Sequence, residues 1–394
     1  MNADVRVAGV GMVPFATPSA GKRYEDLAGD AIRAALSDAG LTLDDVGQAF
    51  ASYVYGDSTC GQAALYGVGM TGVPVVNVNN NCASGSSALW LARQAVAGGE
   101  ADVALAFGFE QMRLGALVEH WTDRLGPAAR YLDRHDDLYG LEDGVPQAAQ
   151  LFGGAGRAYM EEFGISAEVF GRISVKARRH AAGNPYAVFR DPLTLEEVMA
   201  SPHIYGPLTR LQCCPPTSGA AAVVLVGAEY ARRRGLPAGV RIAGQALTTD
   251  RPSSFEGDMR QAVGYDLAVE AAALAYERAG IGPEDIPVVE LHDCFTANEL
   301  ITYEALGLTP VGTAEKFIMD GDNTYGGRVV TNPSGGLLSK GHPLGATGLA
   351  QCAELTWQLR GTAGPRQVEG ARTALQHNVG IGSACVVTVY QSVD

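Results

Sequence analysis

The stretch Asn79–Leu89, NNNCASGSSAL, sets a single cysteine, Cys82, between three asparagines and a run of small residues. The apolar PVVNVNN before it predicts a strand, and the segment after it predicts a helix. A helix start offers unpaired N–H groups and a partial positive charge. Both favour thiolate and predict a Cys82 below the free value of about 8.5. Ala83, Ser84 and Gly85 leave room for a ligand to approach. Two readings stand on these residues alone: a nucleophile, or a cysteine chosen for its size where helices cross closely. Three further segments bear on the choice. ELHDCFTANEL places His292 and Cys294 two residues apart at the end of an apolar strand, where extended backbone would turn both to one face. SKGHPLGATG holds His342 in a glycine-rich turn before a helix, and HNVGIGSA supplies Gly380 and Gly382 in a tight turn. One nucleophile, two histidines, a second thiol and glycine turns form a set suited to acyl transfer.

Composition narrows the alternatives. The chain has 394 residues, enough for two core-forming units. A net charge of −14 argues against general nucleic-acid binding but leaves room for an anionic ligand on a local basic patch. The richest basic run, Lys176–His180 (KARRH), reads as a solvated helix face. No apolar run reaches bilayer-spanning length. Neither end of the given chain shows a secretory, lipidation or peroxisomal signal, so the expected compartment is the cytoplasm. Seven cysteines occur with no CxxC pair and no Cys/His set at finger spacing, so no metal is expected. Cys60, Cys352 and Cys385 read as small buried hydrophobes.

The elements that must position these groups come twice. Tyr24–Val46 and Gly264–Ile286 align without a gap, matching Asp26 to Asp266, Ala28 to Ala268, Gly40 to Gly280 and Asp45 to Asp285. Each reads as an amphipathic helix stopped by Ala-Gly, and each follows an apolar strand, VRVAGVGM or VRIAGQAL. The segments carrying Cys82 and His342 then occupy corresponding places, each leading into a helix. Alternating strands and helices imply mostly parallel, helix-covered sheets. The expected organisation is an N-terminal half (1–118 and 220–238), an inserted loop domain (119–219) and a C-terminal half (239–394).

Taken together, NNNCASGSSAL, HDCF, GGLLSKGHPLGATG and QHNVGIGSA resemble the thiolase superfamily, and within it the sterol-carrier-protein (lipid-transfer-protein) type. The resemblance runs over essentially the whole chain. It implies an α/β thiolase fold: two duplicated βαβαβαββ halves in a five-layer αβαβα sandwich with an inserted loop domain. It also implies that Cys82 is the acylated nucleophile and that His342 takes its proton. His292 and His342 would form an oxyanion hole for the thioester enolate, and the Cys82 and Gly380 N–H groups a second one for the tetrahedral intermediate. Cys294 would be the second acid/base, replacing the Cys-x-Gly thiol where this chain reads Asn378-Val379-Gly380. Arg178, Arg179, Ser339 and Gly341 are candidate contacts for coenzyme A, which is a substrate; no cofactor is implied. A homodimer or homotetramer is expected, with PVVNVNN as the candidate interface element, and some relatives add a small partner protein. One departure is CCPPTSGAAA in place of the family's CCPTSDGAAA, with Ser218 where an aspartate is expected, at the exit of the loop domain.

The resemblance favours a 3-ketoacyl-CoA thiolase acting in cleavage or in Claisen condensation. A retro-aldolase on a 3-hydroxyacyl-CoA with a steroid-like side chain and a non-catalytic acyl-CoA or lipid carrier are the alternatives. Leu151, Phe152 and Met160 of the insertion are expected in the core rather than lining an acyl pocket.

Overall fold

The computed structural model describes residues 4–114, 121 and 123–393. The expected boundary at 118/119 lies outside them. The N-terminal half contains β1 (Val5–Met12), α1 (Tyr24–Ala39), β2 (Gln48–Ser52), α2 (Cys60–Tyr66), β3 (Val75–Val78), α3 (Ser84–Gly98) and β4 (Val103–Glu110). The insertion holds α4 (Ala129–Tyr139), α5 (Gln147–Phe163), α6 (Glu168–Ala181), α7 (Leu195–Ala200) and a hairpin of β5 (His203–Tyr205) and β6 (Leu208–Thr209). β7 (Gly219–Gly227) and α8 (Ala228–Arg234) complete the first half. The second half runs β8 (Val240–Thr248), α9 (Met259–Ala262), α10 (Tyr265–Ala279), β9 (Val288–Glu290), α11 (Thr296–Ala305) and α12 (Ala314–Met319). It closes with β10 (Val330–Thr331), α13 (Gly336–Ser339), α14 (Leu344–Arg360), β11 (Thr373–Gly380) and β12 (Ala384–Ser392).

The duplication is explicit in the sheet. Its ten strands run β10-β9-β11-β12-β8-β1-β7-β4-β2-β3. Read outward from the centre, β1-β7-β4-β2-β3 repeats as β8-β12-β11-β9-β10. The directions repeat too: β2 is parallel to β3 and β4, as β9 is to β10 and β11. The halves meet where β1 pairs antiparallel with β8, Arg6 opposite Arg241 and Val7 opposite Val240. The aligned helices α1 and α10 end at Gly40 and Gly280, both left-handed (φ 66° and 70°), which glycine adopts without a side-chain penalty. They cover the outer faces, while α3 and α14 pack together between the halves and give the five layers.

This central crossing is close because its residues are small. A Cβ on Gly345 would lie 2.5 Å from the Ser52 carbonyl oxygen, and one on Gly85 would lie 2.9 Å from the Gly345 carbonyl oxygen. α14 is buried from Leu344 to Thr356, so it cannot present the polar stripe of a surface helix.

The insertion docks through charge as well as apolar contact, which corrects the reading of Lys176–His180 as a solvated face. Lys176 and His180 are buried. Lys176 pairs with Glu299 of α11 and donates to Thr331 Oγ1 at 2.6 Å and to the Tyr303 hydroxyl at 3.2 Å. His180 contacts the Asn332 carbonyl at 3.0 Å and Thr324 Oγ1 at 2.7 Å. Removing one member of a buried pair leaves the other uncompensated. Lys176→Ala is therefore expected to destabilise the protein by about 3–5 kcal/mol. Urea unfolding checks this: a midpoint unchanged from wild type contradicts the docking role.

Candidate active site

Asn79–Ala83 form a turn between β3 and α3, so Cys82 sits two residues before the helix begins. The asparagines build that turn. Asn79 Oδ1 accepts the Asn81 N–H at 3.0 Å, and Asn80 Nδ2 donates to Ser87 Oγ at 2.9 Å. Asn81 is left-handed at φ 51°, a conformation asparagine tolerates better than most residues. Its Nδ2 donates to the Ile381 carbonyl at 3.0 Å, tying the Cys82 turn to the loop after β11. The Gly380 backbone packs directly against this turn. A Cβ there would lie 2.3 Å from the Asn80 carbonyl oxygen and 3.0 Å from the Ala83 nitrogen. Gly380→Ala must push the β11 tip away from Cys82. A shift near 1 Å at a reacting centre costs about 100-fold. A loss of that order is expected in steady-state turnover, and an alanine variant of full activity would contradict the tight contact.

The thiol is not the preformed thiolate expected from a helix start. Burial pushes Cys82 up to about 12, the negative charge of Glu110 adds to this, and the thiol's backbone N–H opposes it without winning. At rest Cys82 is a thiol. Glu110 is held by the N–H groups of Tyr55 at 2.9 Å, Gly345 at 3.0 Å and Val54 at 3.1 Å. It thereby anchors the start of α14 beside His342. Burial raises its own carboxyl to about 7.

The structure brings Cys82, His292 and His342 to one point. Cys82 Sγ and one ring nitrogen from each histidine lie within 4.8 Å of one another. The two rings are 5.0 Å apart at 82°. Their hydrogen bonds assign opposite proton positions. His342 Nδ1 is 2.7 Å from Thr347 Oγ1, and Thr347 in turn lies 3.1 Å from the Pro343 carbonyl. That carbonyl can only accept, so the Thr347 proton goes there and His342 must donate from Nδ1. Its Nε2 is left with a bare lone pair, buried and without a partner among the described residues. His292 Nδ1, by contrast, faces Asn378 Nδ2 at 2.8 Å and accepts from it, so the His292 proton sits on Nε2. Burial pushes His342 down to about 3, with Lys340 adding to the shift. It pushes His292 down as well, reinforced by His342 and His377. Both rings are neutral near pH 7: one is a base, the other a donor. Three such ligand atoms could surround a metal ion, but the proton on His292 Nε2 opposes ligation there.

Cys294 is buried close to this centre, and its ionisation is opposed by burial first, then by Cys214 and Cys82. It is a thiol pushed well above the usual range, not one poised near neutrality. β9 stops at Glu290, so His292 and Cys294 lie beyond it in irregular backbone, not in the extended strand expected. His377 turns its Nδ1 to within 3.4 Å of the His292 N–H, and its Nε2 is buried without a partner among the described residues.

The remaining candidates lie along the seam between insertion and core. Arg178 stacks over Phe189 and reaches the Asp191 carbonyl at 3.4 Å; Arg179 is exposed and donates to Thr324 Oγ1 at 2.8 Å. Ser339 is buried with an unpartnered hydroxyl, while its carbonyl accepts the Phe189 N–H at 3.0 Å. Gly341 has φ 117° and lies against Thr217. Leu151 and Phe152 are core residues, and Phe152 stacks on Phe295 beside Cys294. Ser218 accepts the Met112 N–H at 3.0 Å and its backbone pairs with Ala16, which fixes the insertion's exit. From that exit Thr217 Oγ1 accepts the His342 N–H at 2.6 Å, and Cys214 donates its N–H to the Cys294 carbonyl at 2.8 Å. Sequence reasoning missed Thr217, Thr347 and Cys214; the paired cysteines before Pro215-Pro216 were the available signal for the last.

Comparison with known proteins agrees with this architecture. Residues 5–229 match the model "Thiolase, N-terminal domain" and residues 253–392 match "Thiolase C-terminal domain-like". Human sterol carrier protein 2 is 53% identical over 392 residues, covering 98% of this chain and 72% of that protein. The benzoylsuccinyl-CoA thiolase subunit BbsB of Thauera aromatica is 39% identical over 324 residues, 82% of this chain and 80% of that one. Among solved structures, an Ltp2-ChsH2(DUF35) aldolase superposes with a TM-score of 0.83 at 28% identity, covering 99% of this chain and 98% of that chain. Among the described residues no helix is long and apolar enough to cross a membrane. The chain belongs to the thiolase family, and its similarity to sterol carrier protein 2 places it with the sterol-carrier-protein type of that family.

Proposed function

We propose that this protein is a 3-ketoacyl-CoA thiolase working through an acyl-Cys82 intermediate. The observation that carries the reading is the meeting of a half-buried thiol with two buried, neutral histidines of opposite tautomer. His342 Nε2 takes the Cys82 proton, and the thiolate attacks the 3-keto carbon. The Cys82 and Gly380 N–H groups receive the charge on that oxygen. The C2–C3 bond then breaks, leaving the acyl group on sulfur and releasing an acyl-CoA enolate. His292 Nε2–H, with the newly protonated His342, stabilises the enolate oxygen. The Cys294 thiol gives its proton to C2 and then takes one from the thiol of incoming coenzyme A. Coenzyme A attacks the acyl-Cys82 carbonyl, and Cys82 leaves with a proton returned from His342. Similarity to a benzoylsuccinyl-CoA thiolase subunit supports the reaction class, with Arg178, Arg179, Ser339 and Gly341 proposed to border the coenzyme.

The test is to incubate the protein with coenzyme A and 3-ketoacyl-CoAs of several chain lengths and follow the Mg²⁺-enolate absorbance. Loss of absorbance dependent on coenzyme A is expected. No loss with any chain length refutes the reading. The aldolase similarity supports a second one, a retro-aldolase assembled with a small partner, which predicts cleavage of 3-hydroxyacyl-CoA without coenzyme A.

The active form is proposed to be a homodimer or larger. β3 lies at an end of the sheet with Val76 exposed and, among the described residues, no strand paired to its outer edge, a surface suited to a second copy. Light scattering on dilute, active protein is expected to give at least twice the chain mass. A fully active monomer refutes the assignment.

A further inference from the structure

Asn378 stands where the thiolase resemblance implies a second thiol, and the proposed reaction gives it no proton to move. Its surroundings assign it another task. Tyr390, wholly buried, donates its hydroxyl to Gln376 Oε1. Gln376 Nε2 donates to Ser86 Oγ at 2.9 Å and to the Gly348 carbonyl at 2.7 Å. Ser86 Oγ, having accepted from the amide, has one proton, and its other neighbour is Asn378 Oδ1 at 2.9 Å. Each bond fixes the direction of the next. If the Asn378 amide were flipped, Ser86 would accept twice and its own proton would have no partner. The unflipped amide presents Nδ2 to His292 Nδ1 at 2.8 Å. Ser86, Gln376, Asn378 and His292 are all buried, so water cannot substitute for a missing bond. The path also needs Gly348, where a Cβ would lie 2.1 Å from Ser86 Oγ.

We infer that Tyr390, Gln376, Ser86 and Asn378 form a one-directional hydrogen-bond chain that locks His292 in the tautomer with its proton on Nε2. Asn378 is thus a positioning residue: it keeps a donor aimed at the enolate oxygen and forbids His292 from competing with His342 as a base. The chain crosses the molecule, since Ser86 comes from α3 of the first half and the other members from the second. The functional part of this inference rests on the thiolase reading; the tautomer itself does not.

The test uses Asn378→Asp, whose carboxylate can only accept and so draws a proton onto His292 Nδ1. The other titratable groups facing His292 are His342, His377 and the Cys82 thiol, with Cys294 two residues along the chain, and all are present in Asn378→Asp and Ser86→Ala alike. In wild-type protein labelled with 15N-histidine, two-bond correlation spectra are expected to show His292 protonated at Nε2 alone, its signals assigned by their loss in His292→Gln. In Asn378→Asp, Nδ1 is expected to carry a proton throughout. The carboxylate also raises the histidine's ionisation, so Nε2 keeps its proton at low pH and loses it as pH rises. Thiolysis by Asn378→Asp should therefore fall with rising pH towards about 100- to 1,000-fold below wild type, the cost of one lost oxyanion donor. A residue that merely packs would give a pH-independent loss. If Asn378→Asp does not fold, Ser86→Ala, which frees the amide to rotate, is expected to show both tautomers. Wild-type His292 protonated at Nδ1, or an unchanged tautomer in the variant that folds, overturns the inference. Acylation of Cys82 by acetyl-CoA is measured alongside: wild type that is never acylated counts against the thiolase reading and leaves the tautomer result standing.

Discussion

Cys82→Ser is expected to lose thiolysis by a factor on the order of 10⁴ or more, the scale seen when a catalytic nucleophile is removed. The hydroxyl is close to the thiol in size and the site is only partly exposed, so the turn of Asn79–Ala83 should persist. Chemistry causes the loss. His342 is a weak base, its conjugate acid pushed down to about 3 by burial. Even the thiol, pushed up to about 12, is hard for such a base to deprotonate except as the new bond forms; a hydroxyl is harder still. Steady-state assays should show the loss while thermal unfolding stays near wild type. A serine variant retaining more than about one-hundredth of wild-type activity would contradict the nucleophile assignment.

Cys294→Ala is expected to separate the two halves of the reaction. Thiolysis should fall by roughly 100- to 10,000-fold, the range for a lost general acid/base. Acyl transfer from a simple thioester to Cys82 should survive, since that step releases a thiol and needs no carbon acid. The high resting position of Cys294 fits a donor to carbon: it keeps its proton until a strongly basic enolate forms beside it. If Cys294 only packs near Phe152 and Phe295, alanine would lower stability slightly and leave thiolysis near normal. Near-normal thiolysis would therefore refute the acid/base role and direct attention to His377, whose Nε2 is unpartnered nearby.

Much of the fold was legible because it is written twice. The aligned helices Tyr24–Ala39 and Tyr265–Ala279, each closed by a left-handed glycine, come from patterns that local physics reads directly. The motif residues Cys82, His292 and His342 were legible too, and the fold brings them together. What the sequence concealed depends on partners remote in the chain. Lys176 reads as a surface charge until Glu299, more than a hundred residues away, is packed against it. Cys82 reads as an activated thiolate until burial and Glu110 outweigh its own backbone N–H. The opposite tautomers of the histidines are fixed by Thr347, four residues past Pro343, and by Asn378, on another strand. No residue-type pattern shows which way those bonds run.

The central claim is that Cys82 carries the acyl group, and it can be measured directly. The protein is mixed with acetyl-CoA or a 3-ketoacyl-CoA, quenched in acid and digested, and the peptides are analysed by mass spectrometry. The account predicts a thioester-linked acyl mass on the peptide containing Cys82, absent in Cys82→Ser and discharged when coenzyme A is added before quenching. An acyl mass confined to Cys214, Cys294 or any other residue, or steady thiolysis with no acyl-Cys82 at any time point, would contradict it.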